Sequence, residues 1–445
     1  MITTGPLQFP GGRGQLTLRC RWLLPVTAPA LENAWLRIDR GRVRAVGNGA
    51  MSPQPGGSCF DLGDAIVVPG LINAHTHLEF SACEQPFATA GGLPGWIGRV
   101  VAWRRQRSES AGFDQQAAVH RGLEELAADG IVAVGEIAST TPQPAVGFHG
   151  PRLRIFRELL GLAPLRADRP AAVAEAIRDT ERLARAGVAM GLSPHAPYST
   201  QWPLGRVALR AAGRLKRQHR QPAAGLPPVV PLAMHLAESA AEAEFLCRQT
   251  GPFRDLFEQL GVWPARPPTL ATTADWISLL ARSDRGLVVH GTHLPADPLA
   301  FARLARHRDR LAVVVCPRTT LAIAGRLPPV AAFRRAGLRV CLGTDGRGSN
   351  PDLSIRKEAR CLIDAGIVSP VEALRMVTAD AAWPLGFEDR TGCIAVGRPA
   401  DLAILRPAAA AVHAADAAAA VFAADTEVVA TLRGGRCISG KLPSG

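Results

Sequence analysis

The sequence predicts an α/β protein: a (β/α)8 TIM-like barrel carrying a small β-sandwich domain built from both termini. Three observations lead there. At 445 residues the chain is too long for one small domain and suits a large barrel with an accessory unit. Between residues 67 and 390, apolar strand runs alternate with amphipathic helical stretches, the pattern of a parallel sheet covered by helices. Both ends are made of short, alternating, glycine-punctuated strands.

In chain order, residues 1–66 contribute the first part of the β domain: LTLRCRWLLP, then AWLRIDRGRVRAVG, in which Asp39-Arg40-Gly41 supplies a hairpin turn. Eight strand candidates follow: Ile66–Val68 running into LINAHTH, then 131–135, 153–160, 188–193, 229–235, 286–290, 311–316 and 338–344. Segments 117–128, 170–186 and 299–309 have the apolar spacing of covering helices. Eight such units in about 320 residues fit a closed barrel better than an open sheet. Residues 391–445 return to strands at 393–405 and 427–438 and complete the β domain. Each barrel strand ends in a polar cluster: HTH, GE, RE, SPH, MHLAE, HGTH, CPR and GTDG. Barrel active sites are built at strand C-terminal ends, so these clusters are the first functional signal.

Composition excludes several classes. Hydrophobic residues at 47% and charged residues at 20% describe a globular chain. The net charge of +13 comes almost wholly from scattered arginine, with only Lys216, Lys357 and Lys441 as lysines, and no aromatic-interleaved basic motif marks a nucleic-acid reader. Nine widely spaced cysteines without a CxxC pair argue against a disulfide framework and for a reducing, cytoplasmic setting. The N-terminal segment lacks the pattern of a signal peptide, and no run of about 18 apolar residues suggests a membrane span.

His75-Thr76-His77 ends the first strand. Residues two apart on an extended chain face the same side, so two imidazoles converge as a metal ion requires. His235 after the fifth strand and Asp345 after the eighth complete a His3Asp set, which suits one divalent ion, Zn2+ first and Fe2+ as the alternative, with a position left open for water. Glu238, three residues beyond His235, is placed to move a proton beside that water, and His290, closing the sixth strand, to hold it by a hydrogen bond. His293 is a weaker rival of His290. None of the three lysines lies at a strand end, which excludes a lysine-bridged two-metal centre. Glu158, after the third strand, is read as a pocket or packing residue, with metal bridging the lesser alternative. His120, His149, His219, His307 and His413 are read as structural or solvent-facing.

The motifs VVPGLINAHTHLEFS (67–81), SPHAPYS (193–199), MHLAES (234–239), VVHGTHL (288–294) and LGTDGRGSNPDLS (342–354) resemble those of the amidohydrolase superfamily, in particular its mononuclear deaminase branch. The resemblance covers nearly the whole chain. It implies that His75, His77, His235 and Asp345 are metal ligands, Glu238 the proton shuttle, His290 the holder of the attacking water, and Asp345 the final proton acceptor. Together with the GWI segment at 95–97, the motifs look most like deaminases of S-adenosylhomocysteine, methylthioadenosine and aminodeoxyfutalosine, implying ammonia release from an adenine-bearing nucleoside. His195, Glu79, Arg157, Glu158 and Arg318 are then candidate substrate-binding residues. The chain departs from the family at Cys316-Pro317-Arg318-Thr319-Thr320, where many relatives carry Cys-Pro-x-Ser-Asn, and at Gly346-Arg347-Gly348. Chlorohydrolysis, opening of a cyclic amide, and deamination of a cytosine- or guanine-type base are the alternative reactions on the same machinery. The implied partner is a small heterocycle, with neither nucleic acid nor membrane, and self-association into a homo-oligomer is left open.

Overall fold

Eight parallel strands in strict sequence order form the central sheet: Leu71–Thr76, Ile131–Ala138, Arg152–Leu159, Ala189–Pro194, Leu232–Leu236, Gly286–His290, Leu311–Val315 and Arg339–Leu342. A parallel bridge between Thr76 and Asp345 joins the ends of the first and eighth and closes the barrel. The computed structural model describes residues 15–50, 57–109, 113–140, 150–161, 169–218, 229–264 and 269–442; His149 and His219 lie outside them.

The strands are largely apolar because they are covered on both sides. Residues 131–138, 286–290 and 311–315 are buried throughout. Alternate side chains divide between two cores. Phe156, Ala233, Leu287, Val289, Val314 and Cys341 fill the barrel interior, stoppered at its lower end by Ala381, Leu385 and Phe387. Ile155, Met234, Val288 and Val340 pack outward against the helices. Helix starts follow local chemistry: Asp114 caps 115–128, Asp297 caps 298–306 ahead of a proline, and Ser369 with Glu372 forms a reciprocal cap on 370–376.

One strand falls in a different layer from the sequence expectation. Ile66–Pro69 does not open the barrel; it lies in the terminal sheet, antiparallel to Leu402–Leu405 and parallel to Trp22–Leu23. The chain crosses between layers at Gly70, where a Cβ would sit 2.3 Å from Val132 Cγ1, so the barrel proper begins at Leu71. The terminal unit is one continuous sheet of mixed direction made from both ends of the chain. It curls around a single core that includes Leu18, Leu36, Val67, Leu402 and Leu432, until the Gly41 turn meets the Gly434 turn. The expected sandwich is therefore realised by one sheet folding over itself.

Candidate active site

The polar strand ends converge at the C-terminal mouth of the barrel, in a cavity of about 630 Å3. Some side chains reach it by plain alternation. On the third, fourth and fifth strands Phe156, Leu192 and Ala233 fix the parity, which points Glu158, His195 and His235 inward. Others need irregular backbone. Strict alternation from Val289 would send His290 to the outer layer, but His290 adopts φ 68°. Ile72 and Ala74 face the interior, and a register break between Asn73 and Thr76 turns His75 and His77 inward after them. Asp345 also lies in the left-handed region, at φ 60°, held by its amide on His75 O at 3.2 Å and by His77 N on its own carbonyl at 2.5 Å. Left-handed φ in non-glycine residues costs energy and concentrates at functional sites.

His75 Nε2 lies 3.3 Å and His77 Nε2 3.7 Å from Asp345 Oδ1, and His77 Nε2 lies 3.2 Å from His235 Nε2. His235 Nδ1 donates to the His195 carbonyl at 2.9 Å, which fixes its tautomer and leaves Nε2 as a bare lone pair facing His77. Two ring nitrogens bound to one tetrahedral ion at 2.0–2.1 Å sit roughly 3.3 Å apart. Burial, then neighbouring imidazoles, holds His77 and His235 neutral. Burial would raise the Asp345 carboxyl, but the His75 hydrogen bond and the neighbouring histidines hold it well below the carboxylate range. Neutral imidazoles around an ionised carboxylate are the donor states a divalent ion requires, so the residues fit the metal. Donor atoms of His75, His235, His290 and Asp345 all fall within 4.8 Å of one another. His290 thus competes with His77 on proximity alone. Its Nε2, however, also faces Glu238 Oε1 at 3.5 Å.

Glu238 is buried beside this cluster, its carboxyl raised well above the ordinary value by burial, then by Asp345 and Glu242. His290 is lowered to about 3, chiefly by burial, and its Nδ1 has no partner among the described residues. His195 is also lowered to about 3, by burial and then by Arg104, and its Nδ1 meets Ser199 Oγ. Glu158 is almost wholly buried in the cavity wall, and neither carboxylate oxygen is hydrogen-bonded among the described residues. Its carboxyl is raised by burial against the opposing charges of Arg104 and Arg157. Arg157 lines the cavity too, its Nη1 donating to Ala138 O at 3.0 Å and to Ser139 O.

Two expected pocket residues stand off the cavity. Glu79 lies behind it, bound by the Arg104 guanidinium and by Ser139 Oγ at 2.9 Å, so that Arg104 forms the wall in its place. Arg318 is drawn to Asp352 Oδ1 at 2.7 Å, and its amide donates to Glu358 at 2.8 Å. His293 is likewise absent from the lining. The residues at the family departures are knitted into the support of Asp345. Ser349 Oγ donates to Asp345 Oδ2 at 2.5 Å and meets Thr319 Oγ1 at 2.9 Å, while Arg347 pairs with Glu125 at 3.0 Å.

Sequence reasoning missed three residues. Arg104 carried no motif. Glu136, inside the GE cluster of the second strand, accepts the Leu78 amide with both oxygens at 3.0 and 3.2 Å and so anchors the turn after His77. Glu242 accepts the amides of Ala237 and Glu238, each at 2.9 Å. Ser239-x-x-Glu242 has the spacing of a helix cap, which was its available signal.

Much of the remaining cavity wall is apolar. Phe80, Trp96, Ile97 and Val100 form one side, and Phe257, Leu260 and Val262 another. Among the described residues no helix is long and apolar enough to cross a membrane, and all nine cysteines are free.

Comparison with known proteins agrees with this geometry. Residues 66–438 match the model of the amidohydrolase family. The chain is 25% identical over 405 residues to 5-methylthioadenosine/S-adenosylhomocysteine deaminase of Moorella thermoacetica, covering 88% of this chain and 86% of that protein. It is 31% identical over 309 residues to aminodeoxyfutalosine deaminase of Deinococcus radiodurans, covering 66% and 67%. The structure of Helicobacter pylori aminofutalosine deaminase superposes with a TM-score of 0.79 at 20% identity, covering 95% of this chain and all of that one. With a barrel closed through its own site residues and a family match over nearly its whole length, the chain belongs to the amidohydrolase family and is a hydrolase of the carbon–nitrogen class.

Proposed function

We propose that the protein is a zinc-dependent cytoplasmic aminohydrolase that releases ammonia from an adenine-bearing nucleoside of the aminodeoxyfutalosine, S-adenosylhomocysteine or methylthioadenosine type. The observation that carries this reading is the meeting of three buried imidazoles, an ionised carboxylate and a protonatable Glu238 at one point of the cavity. The names of the Moorella and Deinococcus relatives support the substrate class.

His75, His77, His235 and Asp345 would hold the ion. The 3.2 Å spacing of the His77 and His235 nitrogens, short enough for both to share one ion, favours His77 over His290 as a ligand. Three imidazoles and one carboxylate suit Zn2+. When bound, the ion supplies Lewis acidity and lowers the pKa of a water to near neutrality.

The protein's own groups then divide the work. Glu238, kept protonated by burial, gives its proton to the ring nitrogen beside the amino-bearing carbon. His290, neutral and 3.5 Å from Glu238, holds the attacking oxygen in line with that carbon. Asp345, its outer oxygen steadied by Ser349, takes the remaining proton from the attacking oxygen and passes it to the amino nitrogen, which departs as ammonia. His195 orients the heterocycle, and the apolar wall keeps bulk water from the reacting face.

Ammonia release from adenosine, methylthioadenosine, S-adenosylhomocysteine, aminodeoxyfutalosine, cytosine, guanine and a chlorotriazine is the direct test. Turnover confined to the adenine nucleosides is the expected result; chloride release, or ammonia from the free bases alone, defeats the reading.

A further inference from the structure

Glu158 stands out among the buried groups that the proposed chemistry does not use. Its side chain is 1% exposed, yet both carboxylate oxygens lack a hydrogen-bond partner among the described residues while lining the cavity. A buried carboxylate has about four acceptor positions to fill, and leaving them empty is costly. No described neighbour fills them. Arg104 Nη2 is 3.9 Å from Oε2 and is committed to Glu79, and His195 Nε2 is 3.9 Å from Oε1. Arg157 Nη1 reaches three backbone carbonyls instead.

We propose that Glu158 is a specificity-determining residue that receives two adjacent hydroxyl donors of the substrate, the vicinal diol of a pentose. This rests on the deaminase reading and narrows it to ribonucleosides. Charge favours hydroxyls over an ammonium group. Arg104 and Arg157 already flank the carboxylate, so an added cation would meet two guanidiniums, whereas a diol fills the empty acceptor positions without adding charge. Two parallel donors on one carboxylate also give the bidentate match that makes such contacts selective. A substrate lacking the hydroxyls leaves Glu158 unpaired, which is the situation in which a polar site discriminates most strongly.

The test compares kcat/KM for ammonia release from adenosine and 2′,3′-dideoxyadenosine by the zinc-loaded enzyme, with calorimetric binding of both nucleosides as a readout independent of turnover. Wild-type enzyme prefers adenosine by roughly 30-fold or more, expressed mainly in KM. In Glu158→Gln the preference falls to within about threefold, chiefly through loss on adenosine. Glu158→Asp, which keeps the charge but shortens the reach, falls between them. Equal handling of the two nucleosides by wild-type enzyme overturns the role of Glu158 even if no variant folds, and so does an undiminished preference in folded Glu158→Gln. Ammonia from neither nucleoside, nor from methylthioadenosine, S-adenosylhomocysteine or aminodeoxyfutalosine, with adenosine still bound more tightly than its dideoxy form, overturns the deaminase reading and leaves the diol contact standing; equal binding in that case overturns both.

Discussion

At Glu238 burial and like charge act in the same direction, and both favour the protonated carboxyl that the proposed proton transfer needs. Glu238→Gln keeps the shape and removes the proton. It should retain one metal ion per chain by elemental analysis and lose on the order of 10² or more in turnover. His290 permits a clean companion experiment. Its backbone sits at φ 68°, a conformation that asparagine adopts more readily than most residues, so His290→Asn should fold normally. Its metal content should match wild type while kcat drops by a similar factor. A His290→Asn enzyme that loses its metal would instead place His290 among the ligands.

At the scale of elements, the turn from the fifth strand into the helix 240–248 shows how a local motif is put to a second use. Ser239 caps the helix, and Glu242, which the spacing marks as its capping partner, reaches back to the amides of Ala237 and Glu238. Ala237 is held at φ 52°, and Glu238 is thereby fixed against His290. Glu242→Gln replaces one accepting oxygen with a donor facing an amide, so we expect a loss of about 1–3 kcal/mol in stability and a lower kcat with little change in KM. The pH dependence has a definite sign. Burial, opposed by the backbone amides, raises the Glu242 carboxyl from 4.5 to about 7. Between those values the folded protein holds a proton that the unfolded chain gives up, so this group makes stability fall as pH rises through that window. Thermal melts of Glu242→Gln should lack that component of the slope; parallel slopes in the two proteins would contradict the assignment.

At the scale of the whole molecule, two features tie distant parts of the chain together. The first is the metal site, whose proposed ligands come from the first, fifth and eighth strands. A ligand that binds only the folded state stabilises it by roughly 4 kcal/mol at about 1,000 times its dissociation constant. Chelation should therefore lower the melting temperature, and Zn2+ should restore it together with activity. The second is Asp401, which joins the terminal sheet to the barrel. It accepts from Arg152 Nε at 3.2 Å and Gly434 N at 2.6 Å, and its carbonyl accepts the Gly70 amide at 2.9 Å. Asp401→Asn should cost about 1–3 kcal/mol in denaturant unfolding and leave KM unchanged, because the Asp401 carboxylate is buried and far from the mouth of the barrel.

The sequence alone determined the repeating strand–helix order, the polar residue at the end of each strand and the inventory of metal-compatible side chains, because these depend on periodicity and residue type. His235, His195 and Glu158 could be aimed correctly by alternation from their neighbours. Only the tertiary structure decided the rest. The inward turn of His75, His77 and His290 comes from a register break and a left-handed residue, neither of which has a periodicity to read. The placement of Ile66–Pro69 in the terminal sheet was hidden because a strand buried on both faces has the same apolar run in either layer. Strand-end position points Arg318 and Glu79 to the cavity, but their charges are satisfied by Asp352 and Arg104 instead. An ion pair between residues far apart in the chain leaves no local trace; only folding brings the two charges together.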